Sequence, residues 1–319
     1  MQISVVIPTY KRPQLLGKCL KALQLQLLNK QEFEVLVISD GPDQETEAAV
    51  SEFNGLLNIR YFCLPDKKGP AAARNLGWLT AKAAVVAFTD DDCQPNSTWL
   101  NAILAEADPT REQAFTGRVI VPRGKRPTDY ELNTAGLETA DFVTANCACT
   151  KLALFITGGF DERFSMAWRE DSDLEFKLIF HHIDIKKINQ ATVVHPVRQA
   201  SWGVSLKEQK KTLFNALLYQ KFPALYRVKI QSKPPILYYL IIACFMVFII
   251  GLFSNASLLI AFGGMGWLIL TTYFIARRLY RTSRSLRHVA EMIFTSLLIP
   301  IYSIYWQWYG AFKYRVLFI

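Results

Sequence analysis

From Ile236 to Ala276 the chain carries no charged residue, a run of 41 positions. As one straight helix such a run would measure about 60 Å, roughly twice the hydrocarbon core of a bilayer. Two helices broken near Gly251 and Ser254-Asn255 fit better. The spacing therefore predicts a membrane hairpin, with spans over 236–253 and 256–276. A buried hairpin in a soluble protein is the alternative, but uncharged runs of this length belong to membranes. Arg227, Lys229 and Lys233 precede the run, and Arg277, Arg278, Arg281, Arg284 and Arg287 follow it. By the positive-inside rule both flanks are expected on the cytoplasmic face, together with the part of the chain that precedes them. A bacterial inner membrane is the expected location.

The same run explains why 51% of residues are hydrophobic and why mean hydropathy is +0.15. A net charge of +9 is partly accounted for by these flanks and by anionic lipid. No RNA- or DNA-binding motif accompanies it, so nucleic acid is not an expected partner. Residues 206–222 read as an amphipathic basic helix suited to a membrane surface. Val289–Phe312 is apolar and rich in Tyr and Trp, but Glu291, Pro300 and Gln307 interrupt it. It is expected as a third span, with a re-entrant or interfacial helix as the alternative. Three regions follow: a catalytic domain over 1–203, an amphipathic basic linker over 204–234, and an anchor of two to three helices over 235–319.

The first residues show neither a basic n-region nor a long enough apolar stretch for a signal peptide. Six cysteines lack paired metal spacing, so reduced cytosolic thiols are expected.

Strand and helix patterns alternate through the first hundred residues. Ile3–Ile7, Val35–Ile38, Ile59–Leu64 and Val85–Phe88 are short apolar runs. Between them lie helical patterns beginning near Leu15, Asp43 and Ala71. Such alternation predicts an α/β domain with a doubly wound, mainly parallel sheet. A dinucleotide site would place G-x-G-x-x-G after the first strand. Here Pro8-Thr9-Tyr10-Lys11-Arg12-Pro13 stands there instead, which excludes an NAD-dependent dehydrogenase. Further on, a strand is expected over 118–121, a polar loop over 122–133, a helix from about Glu170, and a short strand over 191–194 ending at His195.

The fourth strand ends in Asp90-Asp91-Asp92. Carboxylates at the C-terminal end of a strand face the crevice where open α/β sheets bind ligands. Three in a row repel one another and call for a cation. Oxygen ligands suit Mg²⁺ or Mn²⁺, which in turn suit a diphosphate. A solvated acidic turn is the plainer reading, and other motifs weigh against it.

Five separated signatures agree in order: Val-Val-Ile-Pro-Thr-Tyr at 5–10, Val-Ile-Ser-Asp-Gly at 37–41, Arg74-Asn75 after Gly69, the Asp triplet, and Gly-Gly-Phe-Asp-Glu-Arg-Phe at 158–164 followed by Glu170-Asp171. Together they resemble a family 2 glycosyltransferase with the GT-A fold, over roughly residues 2–202. The resemblance implies that Pro8, Thr9 and Tyr10 line a nucleoside pocket and that Asp40 contacts the base. A carboxylate there can accept the N3–H of uracil, which favours a UDP-sugar, although Ser39 stands where the family often has a second acid. Arg74 would reach the nucleotide side. Asp90-Asp91-Asp92 matches the D-x-D motif, with Asp90 and Asp91 toward the donor and Asp92, with Asp90, holding Mn²⁺ or Mg²⁺. His195 is a further candidate ligand. Glu170-Asp171 matches the base motif, with Asp171 as the general base for an inverting displacement. Trp168, Trp202 and Asn146 are candidates for the acceptor side. Processive relatives carry Q-x-x-R-W. Gln199-Ala-Ser-Trp202 only shadows it, which favours single additions.

The expected partners are a nucleotide-diphosphate sugar, a lipid-linked or glycan acceptor, and membrane lipid. Two other readings compete: a metal-dependent nucleotidyltransferase, which lacks the Gly-rich, Lys-bearing loop and would leave Asp171 idle, and a non-catalytic membrane scaffold. Retention of both acidic motifs weighs against the scaffold.

Overall fold

A computed structural model describes residues 1–317. The chain divides into two units, one comprising 1–122 with 135–197, the other 123–134 with the residues from 198 onward.

The first unit opens with β1 (Ile3–Thr9), buried at every position. Alternate residues enter two different cores. Ile3, Val5 and Ile7 pack on one side with Leu16, Leu20 and Leu23 of α1 (Pro13–Gln24). Val6 packs on the other with Trp78 of α3 (Pro70–Thr80). A strand buried on both faces is apolar throughout, which is why the run reads as continuous rather than alternating. Between these helices come β2 (Phe33–Ser39), α2 (Gln44–Ser51) and β3 (Ile59–Cys63). Asp43 caps α2, accepting from the Thr46 N–H at 3.3 Å, a bond that satisfies one orphan donor of the first turn. After α3 the chain forms β4 (Val85–Phe88), β5 (Gln94–Pro95) and α4 (Trp99–Leu104).

The eight strands follow the order β3-β2-β1-β4-β7-β6-β8-β5, where β6 is Ala114–Ile120, β7 is Cys147–Thr150 and β8 is Ile185–Val194. The β3-β2-β1-β4 half is parallel, as the βαβ alternation predicts. Beyond it β7 runs antiparallel to both β4 and β6, while β6 and β8 are parallel. The sheet is therefore mixed. Cys147-Ala-Cys-Thr150 is too short and small-sided to announce itself as a strand, yet it is buried at all four positions. Thr150 then caps α6 (Lys151–Thr157), and Gly158 ends it in the left-handed conformation. The helix expected at Glu170 is α7 (Glu170–Phe180).

The second unit takes in the segment expected as a polar loop, which holds α5 (Asp129–Thr134). The expected single helix over 206–222 is broken into α8 (Val204–Glu208), a 3₁₀ turn at 209–212 and α9 (Leu213–Lys221). After α10 (Pro223–Lys229) come three long apolar helices: α11 (Ile236–Ser254), α12 (Ser257–Leu279) and α13 (Leu286–Lys313). Each is long and apolar enough to cross a membrane. Between α11 and α12, Asn255 adopts a positive φ of 52°, and Gly251 lets the backbone of Ile260 approach closely.

Candidate active site

The four parallel strands bring their C-terminal ends, and the turns after them, to one edge of the sheet. At β4, Thr89 donates its N–H to the Val6 carbonyl at 3.3 Å and its hydroxyl to the Ala145 carbonyl at 3.0 Å. This fixes where the Asp triplet leaves the sheet. The Cys93 N–H then donates to the Asp90 carbonyl at 3.1 Å and closes a tight turn.

The three carboxylates part company in that turn. Asp91 is buried and accepts from the Thr9 hydroxyl at 2.8 Å and the Arg12 guanidinium at 3.3 Å. It ties the end of β1 at Thr9, and Arg12 in the turn after it, to the loop after β4. Asp90 and Asp92 instead join Cys93 and His195, with one ligand atom from each lying within 4.8 Å of all the others. His195 reaches this group because its N–H donates to the Ile120 carbonyl at 2.8 Å, which fixes the end of β8 beside the end of β6.

Whether these residues suit a divalent cation is tested by His195. It is 7% exposed, its Nε2 stands 3.6 Å from Asp92 Oδ1, and its Nδ1 has no hydrogen-bond partner. A buried imidazole is rarely left unsatisfied, and a ring beside two carboxylates suits a cation such as Mn²⁺. The residues fit. Cys93 is the member that cysteine spacing missed, and its adjacency to the triplet was the available signal. Burial, with the charges of Asp90 and Asp92, pushes its thiol well above the usual range, so carboxylates and imidazole are the natural donors.

Arg74 is the link between this group and the acid pair. Its side chain is 97% removed from solvent, and it donates to Asp90 Oδ1 at 2.7 Å and to Glu170 Oε1 at 3.2 Å. The sequence reading placed Arg74 at the nucleotide. The geometry places it between Asp90 and Glu170, with the Phe160 ring 5.6 Å away. Asn75, next to it, locks the Gly-Gly-Phe segment: its amide donates to the Phe160 carbonyl and to Glu162, each at 2.9 Å, and accepts from the Phe160 N–H and the Trp78 indole, each at 2.9 Å. A side chain at Gly159 would come within 2.6 Å of that indole.

Glu170 and Asp171 open α7 after Arg169, whose φ is 73°. Burial is the main cause of a Glu170 carboxyl pushed up to about 7, with the Asp171 charge adding to it and Arg74 opposing it. Burial also raises Asp171, against the pull of the Ser172 N–H and the Arg169 charge. Asp171 accepts the Ser172 N–H at 2.7 Å through Oδ1.

On the other flank, Asp40 accepts the Lys68 and Gly69 N–H groups at 2.7 and 2.9 Å. Gly69 has a φ of 101°, and a side chain there would meet the Ser165 carbonyl oxygen at 2.5 Å. Lys67 holds its ammonium 3.9 Å from the centre of the Tyr10 ring. Arg12 and Lys67 carry geometry that sequence patterns alone did not single out.

Two candidates for the acceptor side have protein partners of their own. The Asn146 amide donates to the Arg118 and Ala191 carbonyls at 2.9 and 2.8 Å and accepts from the Trp99 indole at 2.8 Å. Both N–H groups of that buried amide are taken, and through them it stitches β6 to β8. Trp202 belongs to the second unit, where its ring centre lies 5.3 Å from that of Phe294. Trp168 remains beside the acid pair, with the Arg169 guanidinium 4.7 Å from its ring centre.

The sequence profile of "Glycosyl transferase family 2" matches residues 4–164. The chain belongs to this family. That segment holds the Asp triplet, Arg74 and the Gly-Gly-Phe segment. Its relatives include a chondroitin synthase of Escherichia coli, 27% identical over 71% of this chain and 39% of the relative. A validoxylamine A glucosyltransferase of Streptomyces hygroscopicus subsp. limoneus is 26% identical over 65% of this chain and 52% of the relative. The matched part thus covers about half or less of these relatives' lengths.

Solved structures share the GT-A fold. Staphylococcus aureus TarS 1-349, in complex with UDP-GlcNAc, superposes with a TM-score of 0.54 at 16% identity, over 100% of this chain and 93% of its own. The mannosyltransferase PcManGT from Pyrobaculum calidifontis, in complex with GDP-Man and Mn²⁺, gives 0.53 at 18% identity, over 98% and 87%.

Proposed function

We propose that this chain is a membrane-anchored inverting glycosyltransferase. It moves a sugar from a nucleotide-diphosphate donor, a UDP-sugar being favoured, to a lipid-linked or glycan acceptor by single displacement. The observation that carries the reading is Arg74, buried with one arm on Asp90 and the other on Glu170. A cation-binding group and a carboxylate pair at the start of a helix are thereby held in one piece of structure.

Asp90, Asp92 and His195 would hold the cation, which when bound offsets the charge developing on the departing nucleoside diphosphate. Asp91 keeps the β1 and β4 loops together, so that Thr9 and Tyr10 keep their places along the nucleoside. Asp40 braces the 67–69 loop, and its carboxylate has lone pairs left for a base N–H. Glu170, pinned by Arg74, stays in place and sets the field felt by its neighbour. Asp171 takes the acceptor hydroxyl's proton on Oδ2 as that oxygen attacks the anomeric carbon. Its raised pKa suits this task, because a stronger base accepts the proton more readily. Neighbours with UDP-GlcNAc, or with GDP-Man and Mn²⁺, support a nucleotide-sugar donor and a divalent ion. The apolar helices support a membrane location, and membrane location favours a lipid-linked acceptor.

The test is nucleotide binding by the detergent-purified chain, titrating UDP, GDP, dTDP and CDP with and without Mn²⁺, beside an Asp92→Ala variant. Metal-dependent binding of one nucleotide, lost in the variant, is expected. Absence of binding to all four overturns the donor assignment. In turnover, release of a free nucleoside diphosphate is expected, whereas pyrophosphate marks nucleotidyl transfer.

A further inference from the structure

The third long helix has the length and composition of a span, and its Ile299 packs with Ile241 and Phe274 of the hairpin, but its neighbours along the rest of its length are those of a surface helix. Four contacts mark its course. Near its start, Glu291 accepts the Gly203 N–H at 2.6 Å. One turn later Thr295 and Ser296 accept from Arg278, at 2.7 and 3.0 Å. Arg278 lies in the last turn of α12 and also pairs with Asp129 at 2.7 Å. That cluster of charge and hydroxyls marks the level at which α12 leaves the hydrocarbon. Ten residues further on, Lys210 holds its ammonium 5.6 Å from the centre of the Trp306 ring. At the far end Gln220 donates to the Tyr314 carbonyl at 2.7 Å.

From residue 291 to residue 314 α13 therefore runs alongside residues 203–220. That neighbouring segment is the one rich in charge, with Lys207, Glu208, Lys210 and Lys211 beside the middle of α13. If α13 crossed the bilayer, these side chains would lie near mid-depth, where a charged residue is among the costliest to insert. Lys207 and Lys210 are exposed, so no protein shields them there.

The helix is also two-faced. Phe294, Leu297, Ile301, Tyr305, Tyr309 and Phe312 recur at three- and four-residue steps and are all exposed. On the opposite face His288, Thr295, Ser303, Gln307 and Gly310 are buried. The fit there is close enough that a side chain at Gly310 would meet the Leu213 carbonyl oxygen at 2.4 Å. One exposed apolar stripe, rich in aromatics and continuous along the helix, suits the headgroup–acyl boundary.

We propose that α13 lies in the plane of the membrane interface, its aromatic stripe seated on lipid and its polar face covered by residues 203–220. The anchor then has two spans, and residues 314–317 stay on the side from which α11 starts. The occupant of the stripe is lipid, because the α11–α12 hairpin to which it is tied through Arg278 is itself the membrane segment.

The inference rests on the membrane reading of that hairpin, and the experiment separates the two. Single cysteines replace Phe294, Leu297, Ile301, Tyr305, Tyr309 and Phe312, with Ile250 and Leu268 as references, in a Cys63→Ser, Cys244→Ala background. Each is spin-labelled in vesicles of phosphatidylcholine and phosphatidylglycerol, and its depth is read from the ratio of oxygen to nickel-chelate accessibility. All six stripe labels at one shallow depth, with the references deep, is the expected result. A depth that peaks near position 301 and falls at both ends overturns the proposal in favour of a third span. Water-exposed stripe labels with deep references overturn it in favour of a soluble partner on that face. Shallow references refute the membrane hairpin itself. A second readout is Leu317→Cys with a membrane-impermeant maleimide in vesicles of known sidedness. Labelling from the same side as Arg227→Cys is expected, and labelling from the opposite side refutes the topology.

Discussion

Replacing Arg74 with Met removes the one guanidinium between Asp90 and Glu170, so its cost is worked out from both ends. In the parent, the Arg74 and Glu170 side chains are 3% and 5% exposed. Breaking a buried pair by removing one member costs about 3–5 kcal/mol when the other is left charged. Glu170 has an escape, since its carboxyl already stands at about 7 and loss of Arg74 removes an influence that lowers it. At pH 6 this carboxyl is already mostly protonated, so the variant loses mainly the hydrogen bonds, about 1–3 kcal/mol. At pH 8.5 it meets either the ionised charge or the work of protonating it, and the loss moves to the upper range. With about 2–4 °C per kcal/mol for a unit of this size, thermal melts in detergent should fall by roughly 2–12 °C at pH 6 and roughly 6–20 °C at pH 8.5. Adding Glu170→Gln should recover part of the loss at pH 8.5, with a coupling of about 1–3 kcal/mol. Equal losses at the two pH values, or strict additivity of the two changes, would refute the reasoning.

Three further outcomes follow from the same geometry. Because Glu170 and Asp171 are raised, the folded chain holds extra protons between about 4.5 and about 7, so this stability is present below that window and lost as pH rises through it. Activity should run the other way, its acid limb lying above the usual carboxylate range because protonated Asp171 cannot act as base; a limb near pH 4 in the pH–rate profile argues against that role. Gly69→Ala forces a side chain against the Ser165 carbonyl at a φ of 101°, so it should destabilise by more than about 1 kcal/mol and weaken nucleotide binding through the Asp40 brace, as calorimetry would read. Asn146→Ala leaves the Trp99 indole and two strand carbonyls unpaired. It should lower the melting temperature while leaving the acceptor KM of the remaining folded enzyme unchanged, and a raised KM at an unchanged melt would support the acceptor-side role for Asn146.

Much of this molecule is written in short-range pattern. The apolar runs and the turns after them set the parallel half of the sheet, because a strand buried on both faces must be apolar at successive positions. The uncharged run from Ile236 to Ala276 set the helical hairpin within a few residues of its ends. The acidic motifs were legible through their order among the five signatures, since the triplet alone reads more plainly as a solvated turn. Tertiary structure decided what depends on residues far apart in sequence. Residue 74 meets 90 and 170 only because α3, β4 and α7 converge, and no local pattern says which acid a buried arginine will choose. Asn146 was a candidate for the acceptor side by resemblance; that it also clasps the interior depends on partners 28, 45 and 47 positions away. Composition marked α13 as long and apolar. Its lengthwise packing against a lysine-rich neighbour, which periodicity cannot encode, is what distinguishes lying on a bilayer from crossing it.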